Sequence, residues 1–279
     1  MLYRESSRRD PLTSHEMSVF APVVAVVVLI LAGTPSTAQS AANAPVDQPS
    51  YSNDIWHISV SPYLWMAGMD GTVGFRRLQV DVKQSFSDIF ENLKFGVMGL
   101  SEVRRGRIGF LTDLMYIRLG NEPAIPIAGL PGAIDVKTSL DTFTLTPYFS
   151  YRILGRKRAS IDFLSGGRYY HIGASITANA GGPLRASAST TNNWADFVEG
   201  GRFTVNITPR VGAFFIGDAG GGGSVLTWQI VGGVGLKWSK RWSTQLGYRR
   251  LYFNRQTNNG FGLEQTQQGL ILGATFRAR

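Results

Sequence analysis

The most constraining feature of this chain is a strict alternation of side chains. Across Trp228–Trp238 the even positions read Trp228, Ile230, Gly232, Val234, Leu236 and Trp238, and the odd ones Gln229, Val231, Gly233, Gly235 and Lys237. A period of two puts these sets on opposite faces of an extended strand. One face suits lipid, with an aromatic at each end; the other suits a polar, crowded interior. The next segment repeats the pattern, with Trp242, Leu246, Tyr248 and Tyr252 opposite Ser243, Gln245, Gly247 and Arg249. Ten such segments lie between Ile55 and Phe276. Amphipathic strands of about ten residues, flanked by aromatics, are the pattern of a transmembrane β-barrel.

The expected fold is therefore all-β, an antiparallel barrel over residues 55–279. The strands are expected near 55–67, 94–104, 107–119, 134–152, 158–175, 195–207, 210–217, 225–239, 241–254 and 264–276. Tight basic turns at 104–107, 154–158, 208–210 and 238–241 alternate with longer loops at 68–93, 120–133, 176–194, 218–224 and 255–263. Short turns on one side and long loops on the other match outer-membrane barrels, with the short turns in the periplasm. Both termini then fall on the short-turn side. An extra hairpin from Asp70–Gly74 and Leu78–Lys83 would raise the count from ten to twelve. Ser85–Leu93, with Phe86, Ile89, Phe90 and Leu93 on one face, reads as a short helical segment that folds over the barrel mouth or into the lumen.

Ahead of the strands, Val23–Ala32 is an apolar run about half as long as a spanning helix requires. Small residues follow at Ser36–Thr37–Ala38, so residues 1–38 read as a secretory signal peptide cleaved after Ala38, and 39–54 as a flexible leader. The competing reading is a single-pass anchor. Acidic Glu5, Asp10 and Glu16 offset Arg4, Arg8 and Arg9, which a start at Met17 instead of Met1 would explain. The formal net charge of +9 accordingly belongs to the mature chain. Such a balance often signals nucleic-acid binding, but an exported chain meets anionic lipids first. Cysteine is absent, which removes disulfides, thiolate metal sites and cysteine nucleophiles, and suits an oxidising periplasm. Mean hydropathy near zero fits strands of which only alternate residues face lipid.

Several segments carry a family likeness: Pro62-Tyr63-Leu64-Trp65 with Gly68 and Gly71, Ser85–Ile89, Arg105–Gly109 leading to Asp113 and Tyr116, Gly166–Tyr169, Trp194–Asp196 leading to Gly200–Arg202, Gly247–Arg249, and Gly269–Phe276. By these the chain resembles bacterial outer-membrane β-barrel proteins of the small outer-membrane-protein superfamily, and within it an uncharacterised proteobacterial group. The resemblance covers nearly the whole mature chain, but its motifs are structural, so it implies no catalytic residue. It implies a bacterial outer-membrane location, with contact to outer-membrane lipids and lipopolysaccharide. It also implies insertion by the barrel-assembly machinery, which reads a terminal aromatic. Here Phe276 is followed by Arg277-Ala278-Arg279, a departure from that pattern.

Parity places Glu102, Arg104, Asp113, Asp162, Arg168, Asp196, Arg202, Lys237 and Arg249 in the lumen. Three of the arginines follow an inward glycine in Gly-x-Arg, at 166–168, 200–202 and 247–249, which would leave room for each guanidinium. Buried arginines need carboxylate partners. The expectation is an ion-paired core filling a narrow barrel, the alternative a charged constriction selecting anions. His57 and Ser59 lie two apart on one face, a spacing similar to that of lipid A deacylases. In this parity, however, they face inward at the periplasmic start of the first strand, away from lipopolysaccharide. With His171 the only other mature histidine, no metal site, cofactor or catalytic residue is expected. Gly220–Gly223 lacks the GK[ST] of a phosphate loop and reads as an outer loop, as does the Ser/Thr/Asn-rich stretch 176–194, suited to surface contacts. The expected function is a non-enzymatic surface or structural barrel or a narrow porin-like channel. A lipid-modifying enzyme, a surface adhesin and a secreted soluble barrel are the alternatives. Nucleic acid is not an expected partner, and oligomeric state is left open.

Overall fold

Pairing of chain-adjacent segments accounts for nearly all of the computed structural model, which describes residues 55–75, 78–121, 124–126, 133–179, 185–258 and 260–278. The signal peptide and leader, residues 1–38 and 39–54, lie outside the described residues. The strands are β1 (His57–Phe75), β2 (Leu78–Gln84), β3 (Leu93–Arg105), β4 (Ile108–Asn121), β5 (Ala124–Pro126), β6 (Ala133–Gly155), β7 (Ala159–Asn179), β8 (Arg185–Asn206), β9 (Val211–Gly222), β10 (Leu226–Lys237), β11 (Trp242–Gln256) and β12 (Phe261–Ala278). Ten of these form a closed antiparallel wall. β12 returns to β1 along a register from Ile58↔Ala278 to Phe75↔Phe261, which closes the sheet on itself.

The two additional strands thicken the long-loop end. β5 pairs with the outer end of β6, and β2 pairs with β1 from Met69↔Gln84 to Phe75↔Leu78. The extra hairpin thus forms, but the wall keeps ten strands because β2 takes over an edge of β1 that β3 has left. Pairing of β1 with β3 stops at Pro62↔Gly99, where Pro62 has no N–H to offer. The helix α1 (Phe86–Glu91) follows β2, capped by Ser85. Its Ile89 reaches the barrel mouth among Trp65, Ala67, Ile117 and Leu140, around a pocket of about 50 Å³.

Several connections are shorter than their sequence implies. β7 runs to Asn179 and β8 starts at Arg185, so most of the expected 176–194 loop is strand; Ala219–Gly222 ends β9, leaving Gly223–Val225 as the turn. Ladder hydrogen bonds to neighbouring strands override the low strand propensity of Gly, Ser and Asn. At the opposite end Gly106 adopts φ 58 in the tight β3–β4 turn, which a side chain would disfavour. Thr208 and Ser239 hydroxyls accept backbone N–H bonds from Val211 and Trp242, closing the β8–β9 and β10–β11 turns.

Outward faces are apolar and exposed, ringed by aromatics at two levels. Near the short turns stand Trp242 with Phe276 (ring centroids 4.9 Å apart) and Phe110 with Phe149 (5.9 Å). Towards the other end are Trp228 with Tyr252 (5.7 Å) and Phe95 with Tyr116 (5.8 Å). Such girdles mark the two interfaces of a membrane. Glu199 is an exception, an exposed carboxylate between Phe197 and Phe203 on the outward side of β8.

Candidate functional site

Alternation aims the charged residues of seven strands at the lumen, where they form three clusters. Nearest the short turns, three guanidiniums share two carboxylates. Arg202 grips Glu102 with Nη1 and Nη2 (2.8 and 2.7 Å) and bonds Asp162 Oδ2 through Nε and Nη2 (2.9 and 2.7 Å). Arg104 Nε reaches Glu102 at 2.8 Å, and its Nη2 donates to Ser150. Arg152 binds Asp162 from the other side, Nε to Oδ1 at 2.7 Å. The register explains the convergence, since Asp162 lies opposite Arg152 on β6 and Arg202 on β8. Paired forks of this kind are the strong form of a charged hydrogen bond.

In the second cluster Arg249 Nη1 meets Asp113 at 2.8 Å, Tyr63 donates its hydroxyl to the same carboxylate at 2.6 Å, and the Arg249 guanidinium lies 4.7 Å over the Trp65 ring. In the third, Arg168 Nη2 contacts both oxygens of Asp218 (2.8 and 2.9 Å), which also accepts from Tyr148 and Gln229. Both partners are 0% exposed. Leu111, Met115, Tyr148, Leu164, Tyr170, Val198, Leu251 and Phe253, all inward and buried, pack between the clusters. The lumen is therefore filled at the level of Arg168.

Of the residues expected in this network, Glu102, Arg104, Asp113, Asp162, Arg168, Arg202 and Arg249 are ion-paired. Asp196 is not in an ion pair with Arg168 despite facing it across β7–β8; it accepts the backbone N–H of Ser224 and so anchors the β9–β10 turn. Sequence reasoning missed Arg152 and Asp218. Arg152 shares the inward parity of Tyr148 and Ser150, and Asp218 that of Phe214 and Ile216, so extending each alternation by one step would have found them. The reason offered for the Gly-x-Arg glycines also needs correction. A Cβ at Gly166 would fall 2.0 Å from the Pro147 carbonyl oxygen, and one at Gly200 2.0 Å from that of Gly217. These glycines admit a neighbouring backbone, not the guanidinium.

Below the first cluster, a cavity of about 980 Å³ opens between the short turns. His57, Ser59 and Glu102 all line it, at the end expected for the first two. Glu102 is held by Arg104 and Arg202 and is not available to orient a histidine as a catalytic base would require. His171 instead bonds Asn193 (2.6 Å). Among the described residues no three His, Cys, Asp or Glu side chains converge on a metal position.

No family model and no curated protein matches the sequence. Solved structures do match. The outer membrane protease OmpT from Escherichia coli superposes with a TM-score of 0.53 at 8% identity, covering 84% of this chain and 100% of that one. The translocator domain of the autotransporter NalP from Neisseria meningitidis gives 0.40 at 10% identity, over 95% and 96%. Ail, the attachment invasion locus protein of Yersinia pestis, gives 0.34 at 14%, over 80% and 99%. At such identities the likeness speaks to fold alone. The chain has the fold of a bacterial outer-membrane β-barrel, and its girdled apolar surface belongs in that membrane.

Proposed function

We propose that this protein is a non-enzymatic outer-membrane barrel of the small outer-membrane-protein superfamily whose lumen is a stabilising core, closed to solutes. The observation that carries this reading is the Arg168–Asp218 pair, solvent-free on both sides and walled by buried Tyr148, Gln229 and Thr227. Ten strands enclose little more than their own side chains, since about eight are just filled and open pores appear near sixteen. In the same reading the outer girdle contacts lipopolysaccharide and β12 is the strand offered to the assembly machinery. Planar-bilayer recording of the purified protein tests it. No steady conductance is expected; a large, stable, anion-selective current would establish a channel instead.

A second reading concerns the long-loop end. β6, β7 and β8 have 23, 21 and 22 residues, about twice the 9–11 needed to cross a bilayer. Their outer halves form a ledge beyond the girdle, rich in Ser, Thr and Asn over 173–179 and 185–193, which suits a surface contact. Shortening β7–β8 to end above Tyr169 and Trp194 would abolish attachment to host cells or matrix if this ledge is adhesive, and leave it intact if the barrel works without it.

A further inference from the structure

Among the described residues that face lipid between the two girdles, one is a carboxylate. Glu199 stands outward on β8, exposed, and no described side chain bonds it. Its depth follows from the register. The ladder row through it reads Phe149, Ser165, Glu199, Ala219 and Trp228, one residue from each of β6 to β10. Phe149 belongs to the girdle near the short turns and Trp228 to the other, and the tilt of the strands makes such a row climb between them. Glu199 therefore lies about halfway through the hydrocarbon layer, where an ionisable side chain is costly and points to a functional contact.

Around it the outward face of β7–β8 complements itself. Phe163 stands opposite Gly201, Ser165 opposite Glu199 and Gly167 opposite Phe197, so a ring, a hydroxyl and a hollow on one strand face a hollow, a carboxylate and a ring on the other. Both rings are exposed. The barrel itself does not demand these two glycines. A Cβ at Gly167 or Gly201 would meet its nearest atom at 3.7 or 3.5 Å, an ordinary contact, against 2.0 Å at Gly166 and Gly200.

We propose that β7–β8 is the surface on which a second copy of this chain docks within the membrane. Both copies insert in one sense, so their two-fold axis runs along the membrane normal and β7 of one faces β8 of the other. Each Glu199 then accepts from the Ser165 hydroxyl of the second copy, while Phe163 and Phe197 fill its Gly201 and Gly167 hollows. Association in lipid rests on close approach over small residues and on polar side chains that bond across, as between membrane helices. A different protein would need a matching row of its own; a second copy carries it already, in the right order and at the right depth. The proposal goes beyond the closed-barrel reading and does not depend on it, since it concerns the outer wall whether or not the lumen conducts.

The test is the mass of the full mature protein by light scattering in zwitterionic detergent over a dilution series, with energy transfer between two dye-labelled pools in lipid vesicles as the bilayer readout. Both should report a dimer. Ser165→Ala removes two bonds from a symmetric contact and should weaken association about tenfold. Gly167→Leu with Gly201→Leu fills both hollows and should leave a monomer. The control Gly99→Leu, at an outward glycine of β3 where the nearest atom to a Cβ lies 3.9 Å away, should dimerise as the wild type does. Gel migration before and after boiling confirms that each variant is folded. A monomeric wild type overturns the proposal, as does a dimer indifferent to either variant, equal loss in the control, or recovery of a single copy bound to a different protein.

Discussion

Arg168 and Asp218 meet where water reaches neither side chain: one guanidinium nitrogen bonds both carboxylate oxygens, which also accept from a tyrosine hydroxyl and a glutamine amide. Such a pair is costly to break and cheap to replace, because a lone buried charge keeps its desolvation penalty while two apolar side chains carry none. Asp218→Ala is expected to destabilise the barrel by about 3 to 5 kcal/mol, and Arg168→Met with Asp218→Leu by much less. Urea unfolding in detergent, followed by gel migration, measures both; equal losses would mean that the pair is not the source of the stability. Asp218 also shows why the site was only partly legible. Its neighbours Gly217 and Ala219–Gly223 carry no large side chains, so the alternation loses its signal where the strand continues.

Helix α1 forms for reasons readable in six residues. The Ser85 hydroxyl accepts the Asp88 N–H, and the Asp88 carboxylate accepts the Ser85 N–H (2.9 Å) and hydroxyl (2.7 Å), a reciprocal cap. These bonds from Ser85, side chain first and then backbone, hold the Asp88 carboxyl below its ordinary value. A carboxylate with a depressed pKa stabilises the fold above its unfolded value and ceases to as pH falls through the folded one. The cap is therefore intact at neutral pH and is lost only at acidity beyond the ordinary aspartate range, as the carboxylate takes up its proton. Amide exchange at Ile89 should quicken at that acidity, after correction for intrinsic rates, and Ser85→Ala should produce roughly fivefold quickening at neutral pH, the equivalent of one cap. No change in either case would mean that the barrel mouth, through Ile89, holds the helix without its cap. The amphipathic spacing of Phe86, Ile89 and Phe90 showed that a helix would form. Whether it would cap the mouth was not legible, since that depends on β1 exchanging β3 for β2 above Pro62.

At the scale of the molecule, one circuit of antiparallel pairs joins residues more than two hundred positions apart, as at Val60↔Phe276. Closure of this kind resists detergent until heated, so unboiled and boiled samples should migrate differently. Epitope tags placed between Asn179 and Arg185 should be detected on intact cells, and tags in the Gly155–Ala159 turn only after permeabilisation. The reverse pattern would invert the barrel in the membrane and turn the cavity between the short turns outward.

The sequence by itself limited the wall to ten or twelve strands and determined the two faces of each strand, the aromatic girdles and most of the inward charges. All of these follow from a period of two and the chemistry of lipid against a crowded interior, which act residue by residue. Only the tertiary structure decided which charges meet, because the stagger between strands, not parity, sets their depth. It sent Asp196 to a turn, brought Arg152 and Asp218 into the core, and set Lys237 and Arg277 on the lining of the cavity between the short turns. Packing around a closed circle made those choices, and no local pattern in the chain encodes where that circle closes.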